Sequence, residues 1–299
     1  MGAEPPRQAE GSSGVREAIE LLSLVVAPAT LLTALLFYFG WTRSRAQAAY
    51  FGIDADVLGR SSHEYVLRSV GSIFWPFTLL LAGILLALAT HEGAKRLAAA
   101  GRVRLLLLLA VCAVVSGTAL ILMGILRVVW HPRSGSGAVL TPVLFAVGIP
   151  LAAYALLVAL SIASNRHAKL TPLPRAPLWL IGGLFSLFVF WTIGNYANYR
   201  GKILAARTAA HLNRLPSVIV YSPHRLYLDG VGVEEKALGD ADGAYRFRYS
   251  GLRLLARAGT RTFLLPKGWC RTGVDETCRQ NGVTFVLQDN SALRLDFAP

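Results

Sequence analysis

Two of the three cysteines in this 299-residue chain lie close together, in WCRTGVDETCRQNG (269–282), with seven residues between Cys270 and Cys278. Three chemistries use such a pair: a disulfide, a metal clip, or two free thiols. No C-x-x-C and no neighbouring His set supports zinc. Gly273 and Asp275 can turn the chain between the two cysteines. A disulfide is the favoured reading and free thiols are the alternative. A bridge would place this end of the chain outside the cytoplasm. It would also add about 2–3 kcal/mol by constraining the loop that it closes. Cys112 falls in an apolar run and reads as packing.

A second stretch, YSPHRLYLDG (221–230), holds Ser222, His224 and Asp229. These are the residue types of a nucleophile, a base and its orienter. Ser222-Pro223 reads as a turn, however, and three groups this close in sequence rarely reach triad geometry. In the segment 42–67, His63, Glu64, Asp54 and Asp56 could form a metal or proton site. Their spacing matches no metal-ligand pattern. Ser61 and Glu64 have the S-x-x-E spacing of a capping box, so a solvated, capped loop leading into a helix near residue 62 is the simpler reading. His91-Glu92 and His63-Glu64 fall on opposite membrane faces and cannot share a site. There is no P-loop, G-x-G-x-x-G, G-x-S-x-G, H-E-x-x-H or EF-hand. No catalytic residue, metal site or cofactor is assigned, and enzymatic activity is not expected.

Two sets of residues suggest recognition instead. Arg246 and Arg248, with Arg253 and Arg257, could line an anion-binding strand face, or simply a solvated one. Thr192, Asn195 and Asn198 lie at helical spacing and could line an oligomeric pore, or form a hydrogen-bonded seam between helices.

These groups must be positioned by elements of an unusual composition. The chain is 54% hydrophobic and only 16% charged, with net charge +13. A soluble protein has about a quarter of its residues charged. The charges are missing in blocks. Five runs, 21–41, 69–90, 105–126, 138–164 and 177–197, contain no Asp, Glu, Lys, Arg or His. Each is long enough for a spanning helix, which needs about 20 apolar residues. Phe37, Tyr38, Phe39, Trp41 and Trp130 sit at interface level. Pro28, Pro76, Pro142 and Pro150 fall inside the runs, so neighbouring helices must help to satisfy the freed backbone. Gly117, Gly124, Gly182 and Gly183 would permit close helix contacts. The first run is too long, and its N-terminal flank too acidic, for a signal peptide, so it reads as a retained helix. Tyr50, Phe51, Ile53, Val57 and Leu58 form an apolar cluster that could lie in the interface plane.

Five crossings put the termini on opposite sides. The face with the N-terminal tail carries nine cations in its tail and short loops, against six in the loops of the other face. The positive-inside rule then favours a cytoplasmic N-terminus. Counting Arg200, Lys202, Arg207 and Arg214 after the last run raises the six to ten and removes that margin. No basic stripe with interleaved aromatics is present, so a nucleic-acid partner is not expected.

After residue 215 the helical period gives way to alternation. SVIVY (217–221), RLYL (225–228), YRFRY (245–249), TFLLP (262–266), TFVLQ (284–288) and LRLDF (293–297) read as strands. The expected architecture is an α-helical membrane bundle of five transmembrane helices plus a small C-terminal all-β or β-rich domain. Its parts are a tail (1–15), the membrane domain (16–199), a helical extension (200–215) and an extracytoplasmic β-rich domain (216–299).

Three segments, YFGIDADVLGRSSHEYVLRSV (50–70), SVIVYSPHRLYLDG (217–230) and YRFRYSGLRLLARAGTRTFLLPKGW (245–269), resemble parts of uncharacterised multi-pass membrane proteins of actinobacteria. The resemblance implies this architecture and a cell-membrane location, and carries over no site residues. The expected function is non-enzymatic: presenting the β domain for binding or assembly. Its partners would be membrane lipid, another envelope protein, a cell-wall polymer or a second copy. A homo-oligomeric channel lined by the fifth helix is the alternative.

Overall fold

A computed structural model describes residues 10–130, 137–164, 175–239, 243–269 and 282–298. Five helices precede a six-stranded antiparallel sheet: α1 (Glu10–Tyr50), α2 (Ser62–Ala99), α3 (Val103–Trp130), α4 (Gly137–Ser164) and α5 (Arg175–Ala210). Among the described residues, four helical stretches are long and apolar enough to cross a membrane: Ile73–Ala99, Val103–Trp130, Gly137–Ala163 and Trp179–Ala210. None of the residues in the most apolar part of α2 is buried, and Leu79 and Leu86 are each 66% exposed. So much unpartnered apolar surface suits lipid and not water.

Five such helices were expected, and the described residues give four. The run 21–41 lies within α1, a single 41-residue helix. Over the part of α1 whose side chains are described, polar residues thin the apolar run: Thr30, Thr33 and Tyr38, then Thr42, Arg43, Ser44 and Arg45.

The predicted capping box is present. Ser61 is the N-cap of α2, and its hydroxyl accepts the Glu64 amide at 3.3 Å. Of the predicted glycine contacts, Gly117 packs on Gly148 and Ala152 of α4, and Gly124 on Phe145. At Gly182 and Gly183 no atom of the described residues lies within 4 Å of where a Cβ would be. The other tight approaches are at Gly40, against the Tyr65 backbone, and at Gly201 of α5, against the Arg43 carbonyl of α1. Cys112 is exposed on α3 instead of packed within the bundle.

The strands are β1 (Ser217–Ser222), β2 (Glu234–Ala237), β3 (Phe247–Ala258), β4 (Arg261–Pro266), β5 (Phe285–Gln288) and β6 (Arg294–Ala298). They run in the order β5-β4-β3-β1-β6, and β2 pairs with β3. One face of the sheet carries its own core of Val218, Val220, Tyr249, Leu252 and Leu264. The predicted strand RLYL is absent. Tyr227 has φ +51°, outside extended geometry, and the Leu226 amide donates to the Tyr249 hydroxyl at 2.7 Å instead of to a neighbouring strand. Leu226 and Leu228 still pack on the core. Conversely, β2 (EEKA) has four exposed residues and no apolar alternation to announce it.

Burial, reinforced by the neighbouring Glu235 charge, holds the Tyr249 phenol above the usual tyrosine range. A raised folded-state value means stability that is intact below the unfolded tyrosine pKa and is lost as pH rises through the folded one. Melting of the β domain should therefore be insensitive to Tyr249 ionisation near neutrality, with an alkaline fall. Tyr249→Phe should lower stability by about 1–2 kcal/mol, because it strands the Leu226 amide. It should also flatten the alkaline fall, as thermal melts between neutral and alkaline pH would show.

β4 is buried on both faces. Phe263 and Leu265, opposite the sheet's own core, meet Trp269 and a second cluster drawn from the helices: Ala48, Phe51, Ile53, Ala55, Leu58 and Ala205. The apolar cluster of the first inter-helix segment was expected to lie in the membrane interface. Instead Phe51, Ile53 and Leu58 pack under the β domain, and only Val57 of that group is left outward. Thr284 reaches back to donate to the Phe51 carbonyl at 2.7 Å. The connection between α1 and α2 thus lies on the same side as the sheet, as four crossings by α2 to α5 require.

Candidate functional site

α1 and α5 cross where Gly201 meets the Arg43 carbonyl and Ala46, and Ala197 and Ala205 are fully buried. Small residues bring the two backbones together at the level where the apolar runs end. Neither α1 from residue 21 onward nor α5 contains an acidic residue. Cations therefore gather on both flanks of the crossing without acids from either helix.

On one flank the two helices enclose a crevice of about 370 Å³. Arg45 and Lys202 line it, together with Asn198, Thr42, Tyr38 and Trp41. The Arg45 guanidinium lies 5.1 Å from the centre of the Trp41 ring. Tyr38, which lines the crevice, stacks on Phe190 of α5 at 5.1 Å. The Thr42 hydroxyl is buried, with no hydrogen-bond partner among the described residues.

On the other flank Arg43, Arg68 and Arg200 converge. Arg43 donates to the Arg68 carbonyl at 2.6 Å. Burial, then the charges of Arg200 and Arg68, lower its affinity for its proton. Arg60 is shifted the same way by burial and Arg68, against the opposing pull of Tyr65 and Glu64. One of its guanidinium nitrogens is buried without a hydrogen-bond partner among the described residues. Crowded guanidiniums of this kind create a field that favours an anion.

The residues singled out from sequence are distributed as follows. Thr192 donates to the Phe188 carbonyl and faces an apolar groove of about 600 Å³ between α2, α4 and α5. Asn195 donates to the Ala138 carbonyl of α4 at 2.7 Å. Asn198 faces α1 in the cationic crevice. Thr192 and Asn198 line different cavities, and Asn195 bonds across to α4.

Bulges in β3 decide where its arginines go. Arg248 pairs with Tyr221 and Arg253 with Leu265, so both sit on the face that β4 packs against the helices. Arg253 donates to the Leu215 carbonyl at 3.0 Å. The second irregularity, between Leu254 and Ala256, turns Arg257 to the other face, where it pairs with Asp289. Arg246 precedes the strand, and its amide donates to the Ser222 carbonyl. Arg248 therefore has different companions from those expected: Lys236 and Tyr221 across the ladders, and beyond them Arg294, whose guanidinium lies 5.7 Å from the Tyr221 ring. The Arg248 Nε is buried without a hydrogen-bond partner among the described residues.

The hydroxyl of Ser222 accepts the His224 amide at 3.2 Å, a turn interaction, and Ser222 is buried. Asp54 caps a short 3-10 turn by accepting the Asp56 amide. His91 Nδ1 lies 2.7 Å from the Tyr154 hydroxyl, and Glu92 forms exposed pairs with Lys95 and Arg96. Among the described residues, no group of three or more His, Cys, Asp or Glu is placed to hold a metal ion. Cys270 and Cys278 lie outside the described residues.

The fold is a helical bundle, with four helical stretches long and apolar enough to cross a membrane, and an antiparallel β domain seated on its helix ends. No known protein family, curated protein or solved structure matches the chain. The resemblance to actinobacterial membrane proteins gains no support from these comparisons.

Proposed function

We propose that this is a multi-pass cell-membrane protein in which five helices, α1 included, cross the bilayer. They hold a β-rich domain on the extracytoplasmic side, where it binds or assembles with a partner and catalyses no reaction. The observation that carries the reading is the seam of Phe51, Ile53, Leu58 and Ala205 against Phe263, Leu265 and Trp269. A domain that is merely tethered needs no such contact. This one is mounted on the ends of α1 and α5, so any partner meets it at a fixed orientation to the membrane.

The 21-residue uncharged run of α1 supports a fifth crossing, since at 1.5 Å per residue it would span about 30 Å. The cations of the tail and short loops, nine against six, favour a cytoplasmic N-terminus only while Arg200, Lys202, Arg207 and Arg214 are left out, so the sidedness leans on a Cys270–Cys278 disulfide, which would agree with an exported domain. The partner best matched to the face of Arg248, Lys236 and Tyr221, beside which Arg294 is paired with Asp296, is an anionic one, such as a phosphate-bearing cell-wall polymer.

Impermeant maleimide labelling tests the sidedness. Cys270 and Cys278 should react in intact cells only after reduction by an impermeant phosphine. Labelling that needs cell lysis but no reduction would invert the topology and end the exported-domain reading. For the partner, the purified chain should be retained on immobilised poly(glycerol phosphate). An Arg248→Glu/Lys236→Glu variant should elute at clearly lower salt. Equal elution would remove that face from the proposal.

A further inference from the structure

The crevice between α1 and α5 is a different feature from the sheet face, and it lies at a different level. Trp41 and Tyr38 mark the end of the apolar part of α1, and Arg200 and Lys202 mark the point where α5 leaves its uncharged run. This is the depth of the lipid headgroups, where aromatic belts sit. The crevice has the parts of a phosphate site. Arg45 offers a planar fork of donors whose orientation is restrained by its stacking on Trp41. Lys202 offers a point charge from the opposing helix. Asn198, which also lines the crevice, supplies a neutral donor. No ion pair or hydrogen bond satisfies Lys202 among the described residues, and the nearest stretches of both helices contain no carboxylate. The volume of about 370 Å³ accommodates a phosphate with its glycerol linkage.

The geometry points to this crevice as a site for the phosphate of an anionic membrane lipid, held between Arg45 and Lys202 at the foot of the β domain. A lipid source is favoured over a free phosphate because the wall below the cations is aromatic and apolar. Tyr38 and Phe190 stack there, continuous with the apolar run of α5. A soluble anion would gain nothing from that wall, whereas acyl chains continue along it. Arg43, Arg68 and Arg200 on the far flank of the crossing raise the local potential and strengthen the same preference. Basic pockets between membrane helices are a recurrent form of headgroup site.

The test uses the full chain in zwitterionic detergent, stripped of lipid and titrated by native mass spectrometry with phosphatidylglycerol, phosphatidylcholine or glycerol 3-phosphate. The wild type should retain phosphatidylglycerol in preference to phosphatidylcholine. Arg45→Gln or Lys202→Gln should each weaken that binding about fivefold, and the double variant about thirtyfold. Lys202→Arg should retain it. Lys95→Gln, at the opposite end of α2, should leave it unchanged. Unchanged folding of the double variant, read by its melting temperature, separates lost binding from lost structure. Equal phosphatidylglycerol binding by wild type and double variant would overturn the site. Binding of glycerol 3-phosphate as tight as that of the lipid, and lost in the same variants, would overturn the lipid source. None of these outcomes depends on which side of the membrane the β domain occupies.

Discussion

Gly251→Ala is expected to unfold the sheet while leaving the helical bundle intact. Gly251 lies in the first bulge of β3, at φ +80°, a conformation that costs any L side chain about 1–3 kcal/mol. Space is the larger obstacle. An added Cβ would be driven into the Gly232 carbonyl and against Val233. That neighbour cannot retreat cheaply, because two further segments are fastened at the same point. The Lys267 amide donates to the Gly251 carbonyl at 2.8 Å, and the Gly268 amide to the Val231 carbonyl at 2.8 Å. The bulge is also what keeps Tyr249 and Leu252 together in the core, opposite Val220 and Val218. Straightening it would shift the register and turn one half of β3 inside out. The combined cost should be about 3 kcal/mol or more. Hydrogen exchange should show lost protection across 217–222 and 247–266, with protection in α3 and α4 unchanged. Gly239→Ala is the matched control: φ is +57°, but no atom of the described residues lies near the added Cβ, so strain alone should cost about 1 kcal/mol. If Gly251→Ala melted like that control, the three-way contact at the bulge would not be what holds the sheet.

The same bulge shows where sequence reading succeeds and where it stops. Runs without charge identify membrane helices because lipid imposes a long-wavelength rule on composition, visible one residue at a time. The start of α2 at Ser62 was legible for a similar reason: a cap is a contact between Ser61 and Glu64, three residues apart. Alternation located β1, β4, β5 and β6. It misplaced RLYL, whose leucines are half-buried in a loop that binds the Tyr249 hydroxyl, and it overlooked EEKA, an edge strand defined by its partner. An unbroken period of two would set Arg253 and Arg257 together, opposite Arg246 and Arg248. Two irregularities in β3 break that period and send Arg253 and Arg257 to opposite faces. The crossing of α1 and α5 was harder still. Each cation there could be read from the sequence as a flanking charge. That Arg43, Arg68 and Arg200 converge, and that Arg45 faces Lys202, depends on how three helices 25 to 157 residues apart are packed. Small residues that permit such packing, Gly40 and Gly201, stand outside any recognisable motif.

Phe51→Ala should release the β domain from its mount without unfolding it. Phe51 is 2% exposed and lies at the centre of the seam, its ring 5.0 Å from that of Trp269 and its carbonyl bound by Thr284. Removing a buried phenyl ring costs about 3–5 kcal/mol where the cavity cannot collapse. Here the surrounding atoms come from helix ends and from β4, which are held by other contacts, so collapse is restricted. The sheet keeps its second core of Val218, Val220, Tyr249, Leu252 and Leu264, which Phe51 does not touch. The loss should therefore appear as undocking. The connection between α5 and β1, the turn Leu212–Arg214, should become open to protease cleavage. Exchange protection should fall in 48–58 and 205–215 and persist in β1 and β3. This pattern is the converse of the one expected for Gly251→Ala, which removes the sheet and leaves the bundle. If Phe51→Ala instead lost protection in the sheet and the seam together, the two cores would form one cooperative unit. If neither region changed, the β domain would be tethered and not mounted, and the fixed orientation on which the proposed function rests would be lost. A partner that binds the sheet should then be insensitive to the variant, whereas a mounted domain should present that partner less effectively at the membrane once Phe51 is gone.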